Sequence, residues 1–112
     1  MKYALLIYSK PGSHEALADG EREAALGEYA ALSEDSRCVG GAQLQPVQTA
    51  TTVRVQNGET LTTDGPFADT KEVFGGYYLF DAGNLDEALE LAGRVPAARI
   101  GGAVEVRPVV ER

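Results

Sequence analysis

The sequence predicts an α+β protein of the ferredoxin-like class, βαββαβ with one inserted β-hairpin, forming a single domain over residues 1–112. Three observations predict this class. Two short apolar runs, residues 3–8 and 73–80, are typical of central strands, and a helical pattern follows each of them. A hairpin signal at Asn57-Gly58 separates the two halves. Without the hairpin, the order of elements is that of two successive βαβ units.

The first helix is expected to start near Glu21, with Asp19 as its cap, and to end around Cys38. Gly40-Gly41 provides the stop signal that commonly follows a helix. Gly27 weakens the helix interior, so we expect a close packing partner at that position. The apolar residues at helical spacing are Leu26, Tyr29 and Leu32.

The hairpin is the strongest local signal in the chain. Residues 51–56 and 59–63 are rich in β-branched side chains and flank Asn57-Gly58, a dipeptide that favours a tight two-residue turn. Before the hairpin, residues 42–44 indicate a short strand that ends before Pro46.

The second half repeats the strand–helix–strand order. After the strand at 73–80, Asn84 can cap a helix and Glu87 can complete a capping box. The final strand is expected at 103–110, and Pro108 predicts that its far end lies at a sheet edge. The apolar stripe of the second helix is Leu85, Ala88, Leu89, Ala92 and Val95.

The predicted sheet has more apolar surface than one chain can cover. The strands at 3–8 and 73–80 are apolar on both faces, as in strands that are covered on both sides, but two helices cover only one face. Burying roughly 600–800 Å² of the other face at about 25 cal/mol/Å² favours association. We expect a two-fold homodimer with the sheets face to face. The alternative is a monomer whose hairpin folds over its own sheet.

Composition limits the function classes. The net charge is -7, the ten Lys and Arg residues are scattered, and both facts argue against nucleic-acid binding. No apolar run approaches the roughly 20 residues of a bilayer span, and no signal-peptide pattern follows Met1-Lys2. The single cysteine, Cys38, forms no intrachain disulfide and suits a reducing compartment, as a small apolar residue or as a reactive thiol. We expect a cytoplasmic protein that binds no membrane.

The chemically richest stretch is residues 63–72, between the hairpin and the next strand. Asp64 is the candidate acid/base. The candidate residues around it, which would orient or contact a substrate, are Tyr8, Arg54, Pro66, Phe67, Lys71 and Glu72. The same residues also suit a structural turn: Asp64 would bond the following backbone, Gly65-Pro66 would set the bend, and Phe67 would fill a core gap.

The residues of this stretch also carry a family resemblance. The sequence resembles the YCII-related, DGPF-domain proteins in Asp64-Gly65-Pro66-Phe67-Ala68-Asp69-Thr70-Lys71-Glu72 and Gly75-Gly76-Tyr77-Tyr78, with further similarity at 1–8, 51–54, 85–88 and 104–108. The resemblance implies a ferredoxin-like domain that dimerises into an α/β barrel. It also implies, for many members, an association with extracytoplasmic-function sigma factors. Some distant members pair a His with an Asp in a site, and that His has no counterpart here.

Two functions from different classes follow. The first is an enzyme or binder of a small molecule in a pocket near Asp64. The second is a non-catalytic regulatory module that binds a sigma factor through the hairpin or through its acidic surface, which would face a basic partner. No metal site is expected, because His14 and Cys38 are far apart and the acidic pairs lack ligand spacing. No residue requires a cofactor, and His14 itself can be a solvated loop residue or a general base.

Overall fold

The computed structural model describes residues 1–112 as one four-stranded sheet, a separate two-stranded hairpin and two α-helices. In chain order the elements are β1 Lys2–Ser9, α1 Asp19–Glu34, β2 Cys38–Gln43, β3 Thr51–Gln56, β4 Glu59–Asp64, β5 Val73–Asp81, α2 Leu85–Gly93 and β6 Ala103–Pro108. Short 3₁₀ turns occupy Val47–Thr49 and Pro96–Arg99. The predicted α+β class is confirmed.

The four-stranded sheet has the order β2-β5-β1-β6, and all of its pairings are antiparallel. β6 lies at an edge, as Pro108 predicts. Alternate side chains of β1 and β5 point to one face and form the core with both helices and the turn after α2. The largest fully buried side chains are Phe80, Leu5, Leu91, Val95 and Pro96. Neither helix combines the length and apolar character that crossing a membrane would require.

The boundaries of the first helix differ from the prediction. α1 begins at Asp19 itself, after Ala18, and ends at Glu34, so Asp19 is not its cap. Gly40-Gly41 lies inside β2 rather than after a helix. Gly41 has a φ of 151°, and a Cβ there would be 2.6 Å from the carbonyl oxygen of Tyr77. Glycine is therefore needed at position 41 because β2 passes close to β5. In the sequence alone, the Gly40-Gly41 pair looks like the stop signal of a helix, although its cause is the packing of two strands.

The buried helix faces also differ in part from the predicted stripes. In α1, Leu26 is 64% exposed, and no atom lies within 4 Å of a Cβ placed on Gly27, so the expected close packing partner is wrong. Asn84 caps α2 as predicted and accepts a hydrogen bond of 2.9 Å from the Glu87 amide. The Glu87 carboxylate reaches one residue further back, to the Gly83 amide at 2.9 Å. The buried positions are Ala25 and Leu32 in α1 and Ala88, Leu91 and Ala92 in α2.

The predicted hairpin is confirmed. Asn57 and Gly58 have φ values of 51° and 79°, which are those of the tight turn expected for Asn-Gly. β3 and β4 pair with each other and form no extensive contact with another element. The radius of gyration is 15.8 Å, against about 13 Å for a compact chain of this length. The hairpin projects from the body, so the alternative in which it covers its own sheet is wrong.

The face of the sheet away from the helices is uncovered in the single chain. We call it the open sheet face. Its central side chains, all partly exposed, are Ala4, Leu6 and Tyr8 of β1 and Tyr77 and Leu79 of β5. We expected these strands to be covered on both faces. Within one chain the helices cover one face, and the other face is uncovered.

Candidate functional site

The turn after the hairpin is anchored to β3. Asp64 ends β4, and Gly65, with a φ of 100°, turns the chain. The Gly65 amide donates to the Ala50 carbonyl at 2.8 Å, and the Thr52 hydroxyl donates to the Gly65 carbonyl at 2.8 Å. Phe67 folds back so that the Arg54 guanidinium lies 4.6 Å from its ring centroid. Two of the predicted site residues, Arg54 and Phe67, are therefore in direct contact.

The structural interpretation of the turn expected Asp64 to bond the following backbone and Phe67 to fill a core gap, and neither expectation is met. The hydrogen bonds that hold it come from Ala50 and Thr52, and the Asp64 side chain is exposed. Phe67 is 72% exposed, so it fills no core gap. Its ring covers the Arg54 side chain instead, which is a favourable cation–π contact at the surface.

The hairpin presents two different faces. The register pairs Asp64 with Thr51 and Arg54 with Leu61, and side chains alternate along each strand. Asp64 and Arg54 therefore lie on opposite faces of the hairpin. The face that includes Asp64 also holds Val53, Val55, Thr60 and Thr62, and we call it the valine face.

Tyr8 lies on the open sheet face, at the end of the sheet that segment 65–72 joins. Its ring packs on Phe74 with centroids 5.6 Å apart and planes inclined at 54°. Of the five tyrosines, three have hydroxyls that are hydrogen-bonded within the chain, namely Tyr3, Tyr29 and Tyr78. The hydroxyls of Tyr8 and Tyr77, both on the open sheet face, are free to bond another molecule.

The other predicted residues lie along the exposed connecting segment. Pro66 and Lys71 are exposed, and Glu72 is partly buried, with its carbonyl accepting a hydrogen bond from the Thr70 hydroxyl. Two concave surfaces lie elsewhere. One, near the chain termini, has a volume of about 550 Å³, and the other, between α1 and the turn after α2, about 250 Å³. Asp64 lines neither of them, so within one chain it faces open solvent.

A polar contact that the sequence did not indicate joins His14 to Tyr29. The His14 Nε2 and the Tyr29 hydroxyl are 2.7 Å apart, and both side chains are partly buried. Burial raises the pKa of Tyr29. The interpretation of His14 as a solvated loop residue is therefore wrong. The contact depends on how the first loop folds back on α1, and residue spacing does not specify that path.

A second polar cluster joins the end of α1 to the start of α2. Arg37 binds Asp35 and Glu87, each with an N–O distance of 2.7 Å. Its hydrogen bonds and charge hold the pKa of both carboxyls below their ordinary values. Every charge in this cluster is paired, so its role is structural. The chain contains no group of three or more His, Cys, Asp or Glu side chains placed to hold a metal ion.

Comparison with known proteins identifies the family. The family model of the YCII-related domain matches residues 1–112. An uncharacterized protein of Rhizobium meliloti (strain 1021) is 38% identical over 114 residues, an alignment that covers 97% of this chain and 92% of the relative. The match spans the hairpin, the turn and both helices, so it concerns the whole fold. The chain belongs to the YCII-related domain family.

Proposed function

We propose that this YCII-related chain acts as a homodimeric, ferredoxin-like protein in which the open sheet faces of two chains meet to form a dimeric α/β barrel. The strand order β2-β5-β1-β6, with both helices on one face, supports the ferredoxin-like assignment. The uncovered aliphatic and aromatic side chains on the other face support the dimer. A two-fold pairing covers the same face on both chains at once.

The observation that carries the dimer is the surface area of the chain. One chain exposes 7614 Å². A compact monomer of 11.9 kDa is expected to expose about 5,900 Å², so the excess is about 1,700 Å². A stable interface of standard size covers about 800 Å² on each partner. The surplus area is thus large enough for a full interface on each chain.

We propose that the space between the two sheets binds a small molecule near the Asp64 turn. The Tyr8–Phe74 ring pair offers a flat apolar surface, and the free hydroxyls of Tyr8 and Tyr77 offer hydrogen-bond donors. These features suit a small planar molecule with acceptor oxygens. Asp64 is the acid/base if the bound molecule is transformed. The charged groups near the entrance are Arg54, Lys71 and Glu72, with Pro66 and Phe67 at the rim.

Ligand-observed NMR with benzoate, a planar probe with acceptor oxygens, tests this proposal. Benzoate is expected to bind the wild type, and the double variant Tyr8→Phe/Tyr77→Phe should bind about fivefold to 150-fold more weakly, because each of the two lost hydrogen bonds costs about 0.5–1.5 kcal/mol. Tyr3→Phe, on the helix side of the sheet, is the matched control and should bind like the wild type. Equal binding by all three proteins, or none by the wild type, would refute this site.

The second candidate is a regulatory module that binds an extracytoplasmic-function sigma factor. Its support is the acidic outer surface of α1, where Asp19, Glu21, Glu23 and Glu34 are exposed. Charge reversal at Glu21 and Glu23 should abolish co-purification with the sigma factor, whereas Asp64→Asn should not. Retention of the sigma factor by the charge-reversed variant would contradict this candidate. Both candidates place the protein in the cytoplasm, which suits the free thiol of Cys38.

A further inference from the structure

We infer that the hairpin β3–β4 is an arm that reaches over the partner subunit and lays its valine face on the end of the partner's sheet that holds Tyr8 and Tyr77, beside the contact between the two open sheet faces. This inference rests on the homodimer proposed above and adds to it. It assigns the hairpin a role in the assembly, and it makes the candidate site a property of two chains.

The hairpin lacks support within its own chain. Val53 and Val55 are 59% and 67% exposed, although both belong to a face of β-branched side chains. A two-stranded hairpin standing alone in water is only marginally stable, and it gains stability when an apolar face packs against another layer. The valine face therefore needs a cover that its own chain does not provide.

The hairpin is also long enough to span a sheet of another copy. Each hairpin strand has six residues, which span about 20 Å at roughly 3.4 Å per residue. A sheet of four strands measures about 14 Å between its outer strands, at roughly 4.8 Å per spacing. The arm is therefore long enough to cross the end of the partner's sheet from one outer strand to the other, beside the contact between the two sheets.

The occupant of the arm is a second copy of this chain. In the proposed dimer each chain offers one valine face and one sheet end beside the sheet contact, so a two-fold pair covers both surfaces at once. The charged side chains of the open sheet face are Glu105 and Arg107 on the edge strand β6, and the pair Lys2 and Asp81 at the end of β1 and β5 that lies farthest from Tyr8. The Tyr8 end of these two central strands therefore carries no charged side chain on this face. The only charge on the valine face is Asp64, at the base of the hairpin. An uncharged end of the sheet therefore meets an arm face of valine and threonine side chains.

This arrangement has a consequence for the candidate site. Asp64 shares the valine face, so an arm that lies on the partner also carries Asp64 to the edge of the partner's sheet. The free tyrosine hydroxyls of that sheet then come from the other chain. The candidate site is thus assembled from the Asp64 turn of one subunit and from Tyr8 and Tyr77 of the partner subunit.

A tryptophan reporter tests the position of the arm, because the wild-type chain contains no Trp. Val55→Trp places the reporter on the valine face, and Gln56→Trp, the matched control, places it one residue later on the opposite face. In the dimer, the emission of Val55→Trp should shift to shorter wavelength and resist quenching by iodide. Gln56→Trp should emit as a solvent-exposed residue. Exposed emission from both variants would overturn the arm.

Charged substitutions provide a second measurement. Val53→Asp/Val55→Asp should raise the dimer dissociation constant at least about 100-fold, since two carboxylates would be buried against an apolar face. Thr63→Asp, on the opposite face, should change it less than about threefold because the carboxylate stays in water. Circular dichroism confirms that both variants remain folded. Equal dimer dissociation constants for Val53→Asp/Val55→Asp and Thr63→Asp would refute the arm and leave the dimer standing. A wild-type monomer at micromolar concentration would refute the proposed dimer itself.

Discussion

At the scale of single residues, Thr52 and Asp64 have different roles in the turn after the hairpin. Thr52 supplies the side-chain hydrogen bond that holds Gly65, while the Asp64 carboxylate is exposed. The sequence identified the turn and its candidate residues. It did not identify Thr52, because the contact crosses from β3 to a residue beyond β4 and therefore requires the hairpin register.

The first prediction concerns this division of roles. Thr52→Val keeps the β-branched shape and removes the hydroxyl, so it should lower the free energy of unfolding by about 1 kcal/mol. Asp64→Asn should change it by less than about 0.5 kcal/mol, because the side chain is exposed and not needed for the turn. Urea unfolding of both variants measures the difference. A larger loss for Asp64→Asn than for Thr52→Val would show that the carboxylate holds the turn.

The second prediction contrasts two glycines. Gly41→Ala should destabilise the fold by more than about 1 kcal/mol, because its Cβ would collide with the Tyr77 carbonyl and its φ disfavours a side chain. Gly27→Ala, in the open interior of α1, should stabilise by about 0.5–1 kcal/mol. Thermal unfolding tests both signs. A neutral Gly41→Ala would mean that β2 does not approach β5 so closely.

At the scale of elements, every strand except β2 was predictable; β2 starts at Cys38, four residues before the strand expected at residues 42–44. The hairpin was correct to within one residue, because Asn57-Gly58 fixes both the turn type and the register. The end of α1 was wrong by several residues, because glycines required by the packing of β2 on β5 resemble a helix stop. A local signal is reliable when its cause is local, and the Gly40-Gly41 pair has a long-range cause.

The third prediction concerns the Arg37 cluster that joins α1 to α2. The folded-state pKa values of Asp35 and Glu87 lie below their ordinary values, which are about 3.9 and 4.3 in unfolded chains. The unfolded state therefore binds protons first as the pH falls. The stabilising effect is present above about pH 4 and decreases below it. Between pH 5 and pH 2.5, wild-type stability should therefore decrease more steeply than that of Arg37→Met.

The matched control for this cluster is Arg22→Met. Arg22 lies 3.8 Å from Asp19 in an exposed pair, and such a pair contributes little to stability. The stability of Arg22→Met should change with pH in the same way as that of the wild type. Parallel curves for the wild type and Arg37→Met in urea unfolding would contradict the role assigned to Arg37.

At the scale of the whole molecule, two surfaces of the chain are uncovered. The open sheet face and the valine face contribute to an exposed area of 7614 Å², about 1,700 Å² more than a compact chain of this mass is expected to expose. The sequence indicated surplus apolar strand surface, because residues 3–8 and 73–80 are apolar at successive positions and so on both faces of each strand. It could not indicate which way the hairpin projects, because that direction depends on the turns at each end.

The mass of the protein in solution tests the central proposal most directly. Sedimentation equilibrium of the wild type at micromolar concentration should give twice the chain mass of 11.9 kDa. Leu6→Asp, which places a charge in the centre of the open sheet face, should shift the protein toward the single-chain mass while its circular dichroism remains that of a folded chain. A wild-type mass of 11.9 kDa across that range would contradict the face-to-face dimer and the site it encloses.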